Sequence, residues 1–355
     1  MHRFHKILTV WYQENKRDLP WRANNNPYLV WISEIILQQT RVGQGTNYFL
    51  RFAERFPDVK SLASAPENDV LKLWQGLGYY SRARNLHLAA RQVMNDFNGS
   101  FPDTYTNILK LKGVGTYTAS AIASIAFGLP FAAIDGNVYR VLSRIFGIST
   151  PVDSTQGKHE FSKLANELLD QKNPGLYNEA IMEFGALQCT PQNPDCSRCP
   201  FSDSCLAFAQ NQITNLPVKI KKIKVKHRFF NYLYIRNEEY FYLEKRKEKD
   251  IWHNLYQFPL IESHKLLTLE ELLTNERVKS MFEGIEIAVD AVNPEIIHIL
   301  THQKLHVRFI EIIISGHYKS LGWIKTHPDE VANFPVPKLI ENFLSLKDIN
   351  TDAFL

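Results

Sequence analysis

The sequence has 355 residues, 45% of them hydrophobic and 22% charged, which is the composition of an ordinary globular protein with room for two domains, each with its own core. A formal charge of +4 permits nucleic-acid binding without requiring it. No apolar run approaches membrane-spanning length, and the N-terminal stretch is too broken by charge to be a signal peptide, so a cytoplasmic protein is expected.

In chain order, the pattern predicts a helix over 5–15 that ends in a rigid polar-aromatic loop, Arg17-Asp18-Leu19-Pro20-Trp21-Arg22. A second helix is expected over 28–40. On it Glu34, Leu37, Gln38 and Arg41 share a face, among the large apolar residues Trp31, Ile32, Ile35 and Ile36. A carboxylate in such company is costly unless solvated or used. Burial would raise its pKa and suit it to donate a proton; the plainer alternative is a solvated helix face. Helices over 46–56, 67–75 and 82–98 follow. Between the last two, Gln75-Gly76-Leu77-Gly78-Tyr79-Tyr80-Ser81-Arg82 is a flexible turn presenting apolar and aromatic side chains, suited either to wedge into a base stack or to pack in a core.

Leu111-Lys112-Gly113-Val114-Gly115 precedes a small-residue helix that begins near Thr116. Glycines there allow positive φ and let an anion reach bare amides at the helix N-terminus, although an ordinary interhelical turn has the same look. Leu129-Pro130 ends that helix, and Ala133-Ile134-Asp135-Gly136-Asn137-Val138 opens the next. Asp135 falls at the N-cap position, where a carboxylate stays ionised, and a cap is the simplest role for it. Helices over 155–170 and 176–187 complete an all-α half.

All four cysteines, Cys189, Cys196, Cys199 and Cys205, fall in one short segment. In a reducing compartment they point to a metal site rather than disulfides. Their C-x6-C-x2-C-x5-C spacing differs from the paired knuckles of ordinary zinc sites, though spacing alone does not separate iron from zinc. Arg198 and Lys172 stand nearby as phosphate contacts or as solubilising charges. A linker over 207–225 follows, with Lys219, Lys221, Lys222, Lys224, Lys226 and Arg228 leading into a basic strand. Strands over 229–236, 240–245, 305–314 and 322–325, with helices over 269–273 and 338–346, make residues 226–350 an α+β domain.

The string from Leu111 to Val141 resembles the helix-hairpin-helix and aspartate signature of the DNA glycosylase superfamily that includes endonuclease III and the MutY adenine DNA glycosylases. Within it the finer resemblance, over nearly the whole chain, is to the MutY family. Leu19-Pro20-Trp21-Arg22, the run from Trp31 to Thr40, and Gly76-Leu77-Gly78-Tyr79-Tyr80-Ser81-Arg82 are similar to its pocket loop, catalytic-glutamate helix and intercalation loop. The cysteine spacing is similar to its iron–sulfur loop. Trp252-His253-Asn254-Leu255-Tyr256-Gln257-Phe258-Pro259 is similar to its W-x-x-L-W/Y-x-F-P string.

The resemblance implies an all-α helix-hairpin-helix domain over 1–206 with a 4Fe-4S cluster on Cys189, Cys196, Cys199 and Cys205, then a Nudix-like α+β domain over 226–350. It implies a monomeric, monofunctional enzyme that flips and excises adenine opposite 8-oxoguanine or guanine in double-stranded DNA and associates with the bacterial nucleoid while bound. Glu34 would protonate the leaving base and Asp135 would stabilise the sugar cation, a division of labour that parallels glycoside hydrolysis. Arg17, Leu19, Trp21, Arg22, Leu37 and Glu179 would line the adenine pocket, and Gln39 and Thr40 would face the opposite base. Leu77, Tyr79 and Gln39 would fill the vacated space, and Gly113, Val114 and Gly115 would hold the DNA backbone. Tyr117 stands where endonuclease III enzymes carry a Schiff-base lysine, so strand cleavage by an amine is not expected. Leu300-Thr301-His302 aligns with the family's lesion-reading Phe-Ser-His, placing Thr301 and His302 at the 8-oxoguanine. The chain has no R-E-x-x-E-E box, so nucleotide hydrolysis by the second domain is not expected. The alternatives are a related mismatch glycosylase with another target base and a catalytically silent damage-binding protein.

Overall fold

The computed structural model describes residues 2–220, 225–316 and 322–351; Lys221, Lys222 and Lys224 of the basic run lie outside them. The chain forms two compact units, Met1–Ala65 with Arg84–Lys221, and Pro66–Ala83 with Lys222–Leu355. Among the described residues no helix is long and apolar enough to cross a membrane.

The helices before residue 210 are α1 (His2–Asn15), α2 (Pro27–Leu37), α3 (Val42–Arg55), α4 (Val59–Ser64), α5 (Glu67–Leu73), α6 (Ser81–Asp96), α7 (Tyr105–Leu109), α8 (Thr116–Phe127), α9 (Gly136–Phe146), α10 (Thr155–Leu168), α11 (Pro174–Leu187) and α12 (Leu206–Ala209), with a 3-10 turn at Pro20–Arg22. Their ends follow local chemistry. Pro27 opens α2 behind Asn26, whose side chain accepts the amides of Tyr28 and Leu29, while Gly128 and Gly147 close α8 and α9 in the left-handed conformation. In the first unit Leu8 and Tyr12 of α1, Val141 and Leu142 of α9, Phe161 of α10 and Tyr177 and Phe184 of α11 form one buried cluster.

The helix expected over 28–40 stops at Leu37. Gln39 has φ +56°, and the Thr40 amide donates to the Leu37 carbonyl at 3.1 Å. Gln38, Gln39 and Thr40 therefore form a tight turn into α3, which starts earlier than position 46. The cause is packing: a Cβ on Gly45 of α3 would meet Leu37 Cδ2 at 2.7 Å, so the two helices cross closely right after the turn.

The second unit is built on an eight-stranded mixed sheet. Its strands are β1 (Lys226–Asn237), β2 (Tyr240–Lys245), β3 (Tyr256–Gln257), β4 (Leu260–Ser263), β5 (Ile287–Val292), β6 (Ile296–Ile299), β7 (Gln303–Ile314) and β8 (Ile324–Thr326), with helices α13 (Leu269–Thr274), α14 (Glu276–Met281) and α15 (Lys338–Ser345). β1 and β7 pair in parallel from Lys226↔Gln303 to Arg236↔Ile313. Alternation sends Tyr232 and Phe309 to the face where Phe343 of α15 stacks on Phe309 at 4.1 Å, and Leu233, Ile235, Ile310 and Ile312 to the face packed on Leu272 and Val278. Arg228, in the run expected to lead into a basic strand, is buried. Its guanidinium is neutralised by Asp250 and Glu262, because β1 enters the sheet at that point.

Candidate functional site

A cleft of about 460 Å³ in the first unit is lined by Arg17, Leu19, Trp21, Arg22, Glu34, Leu37, Gln39, Thr40, Tyr117 and Asp135, all of them expected, together with Gln38, Val42, Gly136, Asn137, Met182, Glu183 and Ala186. α2 carries Glu34 into it. Burial pushes this carboxyl up to about 7, helped by the nearby Asp135 and Glu179 and opposed by a hydrogen bond with Tyr117 and by Arg22. Glu34 is thus half-protonated near neutral pH, the condition for a general acid. Burial and Glu34 hold the Tyr117 phenol well above its ordinary range, and its oxygen lies 3.3 Å from the Met182 sulfur.

Asp135 caps α9. Oδ1 accepts the Val138 amide at 2.8 Å and Oδ2 accepts Asn137 Nδ2 at 2.7 Å. These bonds favour the carboxylate, yet the net shift of its pKa is upward, because burial outweighs them. Helix-end stabilisation alone therefore misjudges this residue. The segment before it is pinned by buried Asn178, which accepts the Ala133 amide at 3.0 Å and donates to Ser124 Oγ and the Phe131 carbonyl, both at 2.8 Å. Gly185 lets α11 lie against α9, since a Cβ there would meet Asn137 Cβ at 2.6 Å.

At the other wall Glu183 receives the Arg17 amide at 2.9 Å, Arg17 Nε at 2.8 Å, Arg17 Nη2 at 2.7 Å and Arg22 Nη2 at 3.0 Å. Glu179 stands behind this pair rather than in the lining, 3.5 Å from Arg22 Nε and accepting from the Tyr12 hydroxyl at 3.3 Å. Glu183 was missed from sequence. The available signal was its place one turn after Glu179 on an otherwise apolar helix, which puts two acids on one face.

The glycine hairpin is real but uneven. Gly113 has φ +79°, and a Cβ there would press to 2.7 Å from Asn85 Cβ, so glycine is required. Gly115 is ordinary in backbone and caps α8. Val114 is buried and its amide donates to the Leu111 carbonyl at 3.1 Å, so it does not offer the bare N–H expected of it. Leu77, expected to wedge, is buried, as is Tyr80, because this turn folds into its own unit; Tyr79 is exposed, with φ +47°. Its hydroxyl bonds that of Thr301, which with His302 stands exposed in the turn joining β6 and β7.

The four cysteines line one small apolar cavity with Ile145, Phe184 and Phe208. All four side chains border this one space, and four thiolates are the donor set of an iron–sulfur cluster. The loop is gripped by α9. Buried Arg144 donates to Cys189 Sγ at 3.6 Å and to the carbonyls of Thr190, Pro191 and Leu216 at 2.7, 3.1 and 3.1 Å, and Arg140 Nε donates to the Cys189 carbonyl at 2.7 Å. Arg198 pairs with Asp195 at the surface.

Comparison with known proteins agrees with this geometry. Residues 32–170 match the HhH-GPD superfamily of base excision DNA repair proteins, 189–205 the iron-sulfur binding domain of endonuclease III, and 231–346 the NUDIX domain; the four cysteines are therefore a 4Fe-4S site. A solved thermostable thymine-DNA glycosylase is 30% identical with a TM-score of 0.55, over 59% of this chain and 96% of that one. A non-covalent endonuclease III–DNA complex, 21% identical with a TM-score of 0.52 over 59% of this chain and 95% of that one, shares the fold. The adenine DNA glycosylase of Homo sapiens is 45% identical over 213 residues, 58% of this chain and 39% of that one. That of Buchnera aphidicola from Acyrthosiphon pisum is 32% identical over 348 residues, 96% of this chain and 97% of that one. With that identity over the full span of a relative, the chain belongs to the adenine DNA glycosylase family.

Proposed function

We propose that the enzyme excises adenine mispaired with 8-oxoguanine or guanine from double-stranded DNA, as a cytoplasmic monomer and without cutting the strand. The observation that carries this reading is the pairing, in one cleft, of Glu34 poised near pH 7 with the capped carboxyl of Asp135. Protonated Glu34 gives its proton to a ring nitrogen of the extruded adenine. The N-glycosidic bond then breaks with its electrons leaving on the base, the Asp135 carboxylate offsets the charge at the anomeric carbon, and water adds there, its proton restoring the Glu34 acid, to leave an abasic sugar. No amine is part of the lining, which supports base loss without a Schiff base. Thr301, exposed in its turn, supplies a hydroxyl for reading the opposite base. Cys189, Cys196, Cys199 and Cys205 would hold the cluster, and Arg140 and Arg144 of α9 fasten their loop.

Single-turnover assays on duplexes carrying adenine opposite 8-oxoguanine, guanine or thymine test this. Free adenine with strand breaks appearing only after alkali, fastest opposite 8-oxoguanine, is expected. Excision of another base, or binding without excision, overturns it. Glu34→Gln and Asp135→Asn should each lose at least about a thousand-fold in rate while still binding duplex; an active variant sinks that assignment.

A further inference from the structure

We propose that Glu183 is a positioning residue for base excision: it holds Arg17 and Arg22 as a neutralised, fixed wall of the cleft, so that their charge neither collapses onto Glu34 nor drifts when substrate enters. The inference rests on Glu34 acting as the acid.

The geometry is specific. Glu183 is buried, comes from α11 deep in the cleft, and takes both the backbone and the guanidinium of Arg17 in a fork of 2.8 and 2.7 Å. Such bidentate pairing fixes a guanidinium in plane and direction. The same Oε2 that receives Arg17 also receives Arg22 Nη2 at 3.0 Å, so one carboxylate serves two cations. Arg22 is further held by the Arg17 carbonyl at 3.3 Å, by Glu179 at 3.5 Å and by the Tyr12 ring beneath it at 5.5 Å.

Two arginines and two carboxylates therefore cancel on this wall. The balance matters because the charged and titratable groups around Glu34 are few: Tyr117 from α8, Asp135 at the head of α9, Glu179 and Glu183 from α11, and Arg17 and Arg22 from the 17–22 loop. Arg22 already pulls the Glu34 carboxyl downward. Removing the Glu183 charge leaves that guanidinium with only the longer ion pair to Glu179, so more of its field falls on Glu34, which would favour the ionised, unreactive form. Arg17 Nη1 has no partner among the described residues, and so remains a donor that the fork aims rather than consumes.

The test compares Glu183→Gln, Glu183→Asp and Arg22→Gln in the cluster-containing full chain, by single-turnover excision of adenine across pH 5.5–9, alongside iron content and affinity for a duplex carrying an uncleavable abasic-site analogue. Glu183→Gln is expected to slow excision about tenfold at pH 7.5 and to move the falling limb of the pH–rate profile to lower pH by about 0.5, with iron content and duplex affinity kept. Arg22→Gln should move the same limb the other way. Glu183→Asp should keep the limb in place, because the charge remains, while lowering the rate. If Glu183→Gln does not fold, the Arg22→Gln shift decides. A limb that stays at its wild-type position in every soluble variant, or a rate loss matched by lost iron, reduces Glu183 to a structural ion pair and overturns the proposal. Failure of the acid assignment looks different: the wild-type profile would then lack a limb near 7, or Glu34→Gln would stay active.

Discussion

On the proposed mechanism the carboxyl of Glu34 sets the pH response. Its value of about 7 lies above the ordinary 4.5, chiefly through burial. Because the protonated form is the donor, excision should be near its plateau below pH 7 and fall about tenfold per pH unit well above it. The Tyr117 hydrogen bond stabilises the ionised form, so Tyr117→Phe should move the falling limb to higher pH; a limb unmoved by this change would show that the hydroxyl does not reach Glu34 in solution. The Glu183 carboxyl is shifted the opposite way, to about 2, by Arg17 and Arg22 acting against burial. Its contribution to folding is present above about 4.5 and is lost as pH falls toward 2. Acid titration of unfolding should therefore show wild type and Glu183→Gln drawing together below about 4.5 and meeting only as pH falls through 2, and a gap that persists below 2 would assign the stability to packing instead.

Helix ends and helix crossings carry most of the site. Gly113→Ala should destabilise the first unit by about 2 kcal/mol or more, from positive φ and from the contact with Asn85, whereas Gly115→Ala, at an ordinary φ with open space around it, should cost about 1 kcal/mol or less; equal losses in thermal unfolding would contradict the hairpin geometry. Arg144→Met leaves three loop carbonyls without their donor and should cost about 3 kcal/mol or more, read as visible absorbance and iron lost on mild heating. Much of this was legible in sequence because it is local: Asp135 as a cap, the cysteine spacing, Glu34 among isoleucines, and the Arg17–Arg22 loop were all recognisable from neighbours in the chain. What escaped depended on contacts distant in sequence. Glu183 acquires meaning only when it meets Arg17, the α2 end is set by Gly45, and Leu77 and Val114 are buried by residues no local pattern names. The short strands β3 to β6 escaped for the same reason, since ladder partners rather than their own periodicity define them.

Taken whole, the molecule divides its chemistry between two units that are each discontinuous in sequence. Thr301→Ala should leave the rate of adenine loss at saturating enzyme nearly intact and reduce preference for 8-oxoguanine over guanine about fivefold, the loss expected for one hydrogen bond; an unchanged preference would move lesion reading elsewhere. The discontinuity also sets an order of events on the ribosome. The bonds between Glu183 and Arg17 can close once α11 has emerged, so the excision cleft is assembled midway through synthesis. The segment from Pro66 to Ala83 waits far longer, because buried Lys72 donates to the carbonyl of Thr351 at 2.6 Å, and that partner is translated almost three hundred residues later. A nascent chain thus assembles its excision cleft before Tyr79 and Thr301 can meet, and the second unit closes last.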